Sequence, residues 1–137
     1  MLLGNEDSGK TTLAKHFLGK QTEKVEKTIG VDVSSRQLCK FEKDLRVIVY
    51  DCSGAAKYRL LAKTYMKEID AFCLLIDLSI MSSLENVKSW IHMIQNNTKQ
   101  NSSILLVGNK SDNMVIPGSS ILQICNKLDL PYVEISA

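Results

Sequence analysis

The stretch "GNEDSGKT", Gly4 to Thr11, has the spacing Gly-x-x-x-x-Gly-Lys-Thr. Its chemistry belongs mainly to the backbone. A loop of this kind, with the N-terminus of the helix behind it, turns successive N–H groups toward phosphate oxygens. Gly4, Asn5, Glu6, Asp7, Ser8 and Gly9 would form the cradle, and Lys10, Thr11 and Thr12 would open the helix. Lys10 would reach the β- and γ-phosphates, and the Thr11 hydroxyl would ligate Mg²⁺. Glu6 and Asp7 sit awkwardly in that scheme, because they place two negative charges where a polyanion should lie.

Three later stretches share this chemistry. In "DCSG", Asp51 ends an apolar run and could hold a magnesium-bound water, while the Gly54 N–H could sense a γ-phosphate. In "NKSD", Asn109, Lys110 and Asp112 end another apolar run. The Asp112 carboxylate offers two acceptors for guanine's adjacent donors, N1–H and the exocyclic amine. Adenine has no such donor pair, so the motif favours GTP or GDP over ATP. "EISA", with Ser136 and Ala137, would close over the base.

Such residues need strand ends on one edge of a sheet, and the chain supplies them. Apolar runs alternate with helical patterns, which predicts a mostly parallel sheet with helices on both faces and one antiparallel edge strand. Met1–Leu3 reads as a strand, followed by a helix carrying Leu13 and Phe17 that Gly19 can end. Lys20–Lys27 reads as a solvated loop. Arg36–Phe41 and Leu45–Asp51 form a predicted hairpin turning at Glu42-Lys43-Asp44, and Ala71–Asp77 and Ile104–Asn109 read as central strands. Ser82 and Glu85 have capping-box spacing ahead of a stripe of Leu84, Val87, Ile91 and Ile94, with Trp90 and Met93 read as core. A helix over Ser119–Leu128 and a strand over Tyr132–Ile135, introduced by Pro131, complete a six-stranded sheet.

Composition restricts the alternatives. The chain has 137 residues, enough for one domain, and a net charge of +2. That charge is too small to make nucleic acid the main partner. No apolar run approaches a membrane span, and the N-terminus lacks a signal-like pattern. Cys39, Cys52, Cys73 and Cys125 show no metal-ligand spacing and read as reduced, mostly buried thiols. A cytoplasmic setting follows, in which the sequons at Asn96 and Asn101 are accidental. His16 and His92 fall on polar helix faces and read as surface residues.

Taken in order, these motifs resemble the small GTPases of the Ras superfamily, most closely the Rab branch, over nearly all of the chain. "TIGVD" (Thr28, Ile29, Gly30, Val31, Asp32) is similar to the Rab first switch. "GAAKYR", "SLENVKSWI" and "LLVGNKSD" are similar to the Rab second switch, third helix and base-recognition strand. The resemblance implies a P-loop G domain that binds GTP or GDP with Mg²⁺. Thr28 would ligate the metal only when a γ-phosphate is present, ordering Thr28–Val33 and Gly54–Lys67 for effector and regulator proteins. The family's effector-facing aromatic triad falls on Val33, Tyr50 and Tyr65, of which Tyr65 alone keeps its usual type.

The departures also carry implications. Ala55 stands where the family has its water-orienting glutamine, so no residue is assigned as catalytic and intrinsic hydrolysis should be very slow. Glu6 lies nearest the γ-phosphate; a carboxylate about 5 Å from one phosphate charge costs roughly 3 kcal/mol at an effective dielectric near 20. GTP should therefore bind more weakly than GDP. Against the family, residues 1–137 read as a G domain cut short at both ends, without the last helix or a prenylated cysteine. Membrane association would then depend on partners. The alternative is a pseudo-GTPase, an interaction module that keeps the fold with impaired nucleotide binding.

Overall fold

The computed structural model describes residues 1–22, 25–40, 43–99 and 102–137. Its elements in chain order are β1 (Leu2–Gly4), α1 (Lys10–Phe17), β2 (Val31–Lys40), β3 (Lys43–Cys52), α2 (Arg59–Met66), β4 (Ala71–Asp77), α3 (Val87–Asn97), β5 (Ser103–Asn109), α4 (Gly118–Leu128) and β6 (Tyr132–Glu134). One six-stranded sheet has the order β2-β3-β1-β4-β5-β6. Every pairing is parallel except β2 with β3. This is the expected sheet, with β2 as its antiparallel edge.

The side-chain alternation of β4 explains the layering. Phe72, Leu74 and Ile76 face a core shared with Ala62 and Met66 of α2, Val87, Trp90, Ile91 and Ile94 of α3, and Ile121 and Cys125 of α4. Leu75 faces the other way, with Leu2, Val107 and Ala14 of α1. Residues buried on both faces give the continuous apolar runs that marked β4 and β5 in the sequence.

Most boundaries shift from expectation by a residue or two, and the larger departures are at α3 and β2. The Ser82–Glu85 capping box does not form. Met81–Leu84 is instead a short 3₁₀ turn, and α3 begins at Val87 behind Asn86 without a side-chain cap. The neighbouring hydroxyl is engaged in its place, as Ser83 Oγ accepts the buried Asp77 N–H at 3.0 Å. β2 also starts five residues earlier than predicted, and Lys43 and Asp44 belong to β3. The ladder runs continuously from Val31 opposite Cys52 to Lys40 opposite Lys43, so backbone pairing overrides a sequence lacking an apolar alternation. Phe41 and Glu42 of the predicted hairpin, part of the Lys20–Lys27 loop and Asn101 of the second sequon lie outside the described residues.

All four cysteines are free, with Cys52 and Cys125 buried and Cys73 half-buried. Cys39 is exposed, contrary to expectation, because β2 is an edge strand. His16 and His92 are exposed, as predicted. No helix among the described residues is long and apolar enough to cross a membrane.

Candidate functional site

The parallel strands β1, β3, β4, β5 and β6 end at one edge of the sheet, where open α/β folds bind ligands. Each strand delivers one of the motifs there or a residue that supports one. The loop after β1 wraps the start of α1, and Lys10 is buried, with 6% of its surface exposed. Its ammonium donates to the Asn5 carbonyl at 2.6 Å and lies 3.3 Å from Ser8 Oγ. Burial lowers the Lys10 pKa, opposed by the nearby charge of Asp51. A buried cation held only by neutral oxygens is poised for an anion.

Close approach makes Gly9 obligatory. It has φ +89°, and a Cβ there would meet Asn109 Nδ2 at 2.0 Å. That amide donates to the Ser8 carbonyl at 2.9 Å, so the base motif on β5 braces the phosphate loop directly. Asp7 is exposed and has φ +58°. It stands where a left-handed residue is needed, a conformation that aspartate tolerates better than most side chains. Gly54 packs on the same loop, where a Cβ would lie 2.3 Å from the Glu6 nitrogen.

The expected metal ligands converge without being adjacent in sequence. Thr11 Oγ1 and Thr28 Oγ1 are 2.9 Å apart, and Thr28 Oγ1 donates to Asp51 Oδ2 at 3.3 Å. Asp51 is 3% exposed, and its Oδ1 has no hydrogen-bond partner. Burial raises the Asp51 pKa, while hydrogen bonds from the threonines and the charge of Lys10 oppose the rise. An orphaned carboxylate oxygen beside two hydroxyls is a hard-oxygen donor set that fits Mg²⁺.

At the other end of the edge, Lys110 has φ +62° and Asp112 is exposed. Asp112 Oδ1 accepts the Ser136 hydroxyl proton, and the Ala137 N–H donates to Asn109 Oδ1 at 3.0 Å. A cleft of about 590 Å³ runs from Glu6, Lys10 and Thr11, past Thr28, to Lys110 and Ala137. Its volume suits a ligand of nucleotide size.

The expected switch residues divide. Ile29 is 82% exposed, and the Gly30 carbonyl accepts the Ser53 N–H at 2.8 Å. Val31, Asp32 and Val33 are the first residues of β2, opposite Cys52, Asp51 and Tyr50. The Tyr50 and Tyr65 rings meet with centroids 5.6 Å apart, so the Val33, Tyr50 and Tyr65 positions form one cluster. Ala55 precedes a short 3₁₀ turn, Ala56–Tyr58, and also lines the cleft.

Three contacts escaped the sequence reading. Lys110 Nζ donates to buried Asp77 at 2.5 Å, and Asp77 also accepts from the Ser79 N–H and hydroxyl. Burial pushes the Asp77 pKa up, but these partners outweigh it and hold the carboxyl below its usual range. An aspartate closing the apolar run "FCLLID" was the available signal. Glu6 pairs with Lys27 at 3.6 Å, both substantially exposed, which offsets part of the repulsion expected from Glu6. Trp90, assigned to the core, is buried there and also donates Nε1–H to Asn5 Oδ1 at 3.2 Å.

Comparison with known proteins matches this arrangement. The Ras family model covers residues 1–137. The chain belongs to the Ras family. Among curated proteins, it is 35% identical to the Ras-related protein Rab-19 of Mus musculus over 113 residues, 82% of this chain and 52% of that protein. The Homo sapiens Rab-19 is 34% identical over the same shares. This Ras-family chain therefore spans about half the length of the curated relatives it matches, and it is a small GTPase close to Rab.

Proposed function

We propose that this chain is a guanine-nucleotide-binding switch of Rab type that hydrolyses GTP very slowly. The observation that carries the reading is a cleft lined by Lys10, Thr11, Thr28, Lys110 and Ala137, with the Asp51 carboxylate beside Thr28 and the Asn109 amide bonded to the Ser8 carbonyl behind it. Lys10 and the N–H groups of residues 5–12 would bind the phosphates. Asp112 would select guanine, with Ser136 orienting its carboxylate and Asp77 holding Lys110 beneath the base. Ala137 and Asn109 would fix the base-side loop.

Thr11, Thr28 and, through water, Asp51 would hold Mg²⁺, which supplies charge neutralisation at the phosphates when bound. The chain's own contribution to hydrolysis is weak. Ala55 can neither accept nor donate a hydrogen bond through its side chain to orient a water, and a misplaced nucleophile loses about a hundredfold. Effectors and regulators would read Ile29 to Val33 with Tyr50 and Tyr65, and vesicle trafficking from a cytoplasmic pool is the process this implies.

A second reading, a pseudo-GTPase interaction module, is favoured by exposed Glu6 and Asp7 at the mouth of the cleft together with Ala55. Competition of GDP against ADP, in the wild type and in Asp112→Asn, separates the two. The switch reading expects strong guanine preference that Asp112→Asn abolishes. Equal, negligible binding in both proteins would establish the module.

A further inference from the structure

Trp90 sits at an unusual junction. Its indole lies in the core on α3, yet its N–H reaches Asn5 Oδ1 in the phosphate loop at 3.2 Å. Its ring carries the Arg59 guanidinium, whose carbon stands 4.7 Å from the ring centroid. Arg59 is the first residue of α2, within the expected second switch. Its Nε is buried without a hydrogen-bond partner, so the ring face is the contact recorded for this part of the guanidinium. The Asn5 backbone meanwhile accepts the Lys10 ammonium at 2.6 Å. Gly54, at the start of the same switch, leaves no room for a Cβ against the Asn5 carbonyl carbon, which would lie 2.4 Å away.

We propose that Arg59, Trp90 and Asn5 form a positioning relay through which the start of α2 sets the phosphate loop. Arg59 fixes the indole by lying over its face, and the indole N–H fixes the Asn5 side chain. The Asn5 residue then presents its carbonyl to Lys10. Arg59, Trp90 and the Asn5 side chain are positioning groups; each acts through the next. Displacement of α2 moves the guanidinium off the indole and frees Asn5, loosening the grip on phosphate. By linkage, a bound phosphate that steadies Asn5 also favours α2 in place.

The proposal rests on the nucleotide-binding reading, and the experiment keeps the two separate. Release of bound GDP would be followed in the wild type, Asn5→Ala, Arg59→Met and the double variant, with retained nucleotide quantified first in each. Asn5→Ala should release GDP about three- to tenfold faster, the effect of losing one hydrogen bond. Arg59→Met should give a smaller acceleration, and Arg59→Lys, which keeps the charge without the guanidinium, should not restore the wild-type rate. The decisive outcome is the double variant, which should release no faster than Asn5→Ala alone. Multiplying effects in proteins that hold nucleotide would overturn the relay and leave the binding reading intact. Chains that hold no nucleotide would overturn both.

The chain has a single tryptophan, so its emission supplies an independent readout. Exchange of GDP for a non-hydrolysable GTP analogue should shift that emission in the wild type and not in Arg59→Met. A merely structural Trp90 would give the same response in both.

Discussion

Asp51 carries its charge where burial disfavours it, with one oxygen unpartnered. Its folded pKa lies above the ordinary value of 3.8. The folded state therefore binds the proton more tightly than the unfolded state. This contribution to stability is present below pH 3.8 and is lost as pH rises through the raised folded value. At neutral pH the ionised group opposes folding until a cation joins it. Asp51→Asn should therefore raise the melting midpoint of the metal-free protein and erase the further rise that Mg²⁺ with nucleotide gives the wild type. A lowered midpoint without metal would show that the carboxylate is not strained.

Asp77 has the opposite sign. Its depressed pKa stabilises the fold above the unfolded value and is lost as pH falls through the folded one. Asp77→Asn should thus lower the melting midpoint at pH 7, and the difference from wild type should shrink in acid. Glu6 is a third case. With Lys27 opposite it and water around it, Glu6→Gly should raise the ratio of GTP to GDP affinity by about tenfold, or ~1.4 kcal/mol. An unchanged ratio would mean that the carboxylate points away from the third phosphate.

At the scale of elements, α1 ends in a motif legible from one glycine. The Gly19 N–H bonds the His16 carbonyl at 3.1 Å and the Lys20 N–H bonds that of Lys15 at 2.9 Å, with Gly19 at φ +68° and open space around it. Gly19→Ala should therefore cost about 1 kcal/mol through backbone conformation alone, lowering the melting midpoint by about 3 °C. A neutral result would place the end of α1 in a different conformation.

The limits of β4 are legible in the sequence because Phe72–Asp77 is largely buried on both faces and needs no partner to be recognised. The opening of β2 reads as switch, because "VDVSS" sets only a half-buried Val31 against the core and owes its extended form to β3. The Ser82 box failed for a related reason. Local spacing offered a cap, but Ser83 is drawn to the end of β4 instead. The meeting of Lys10, Thr11, Asp51 and Asn109 at one sheet edge is legible because their motifs close successive strands. Asp77, Lys27 and the Asn5 contact of Trp90 are not, since they are contacts between distant segments with no spacing rule.

Across the whole molecule, the sheet topology brings residues more than a hundred positions apart into one bracing contact, as in Asn109 with Ser8. Denaturing extraction of the purified protein, followed by chromatographic identification of what is released, tests whether this assembly holds a guanine nucleotide. Close to one guanine nucleotide per chain is expected, and any GTP present should persist for hours because Ala55 cannot orient water. A chain that comes out empty, and stays empty when offered GTP, GDP and Mg²⁺, would contradict that expectation and leave a GTPase-shaped interaction module.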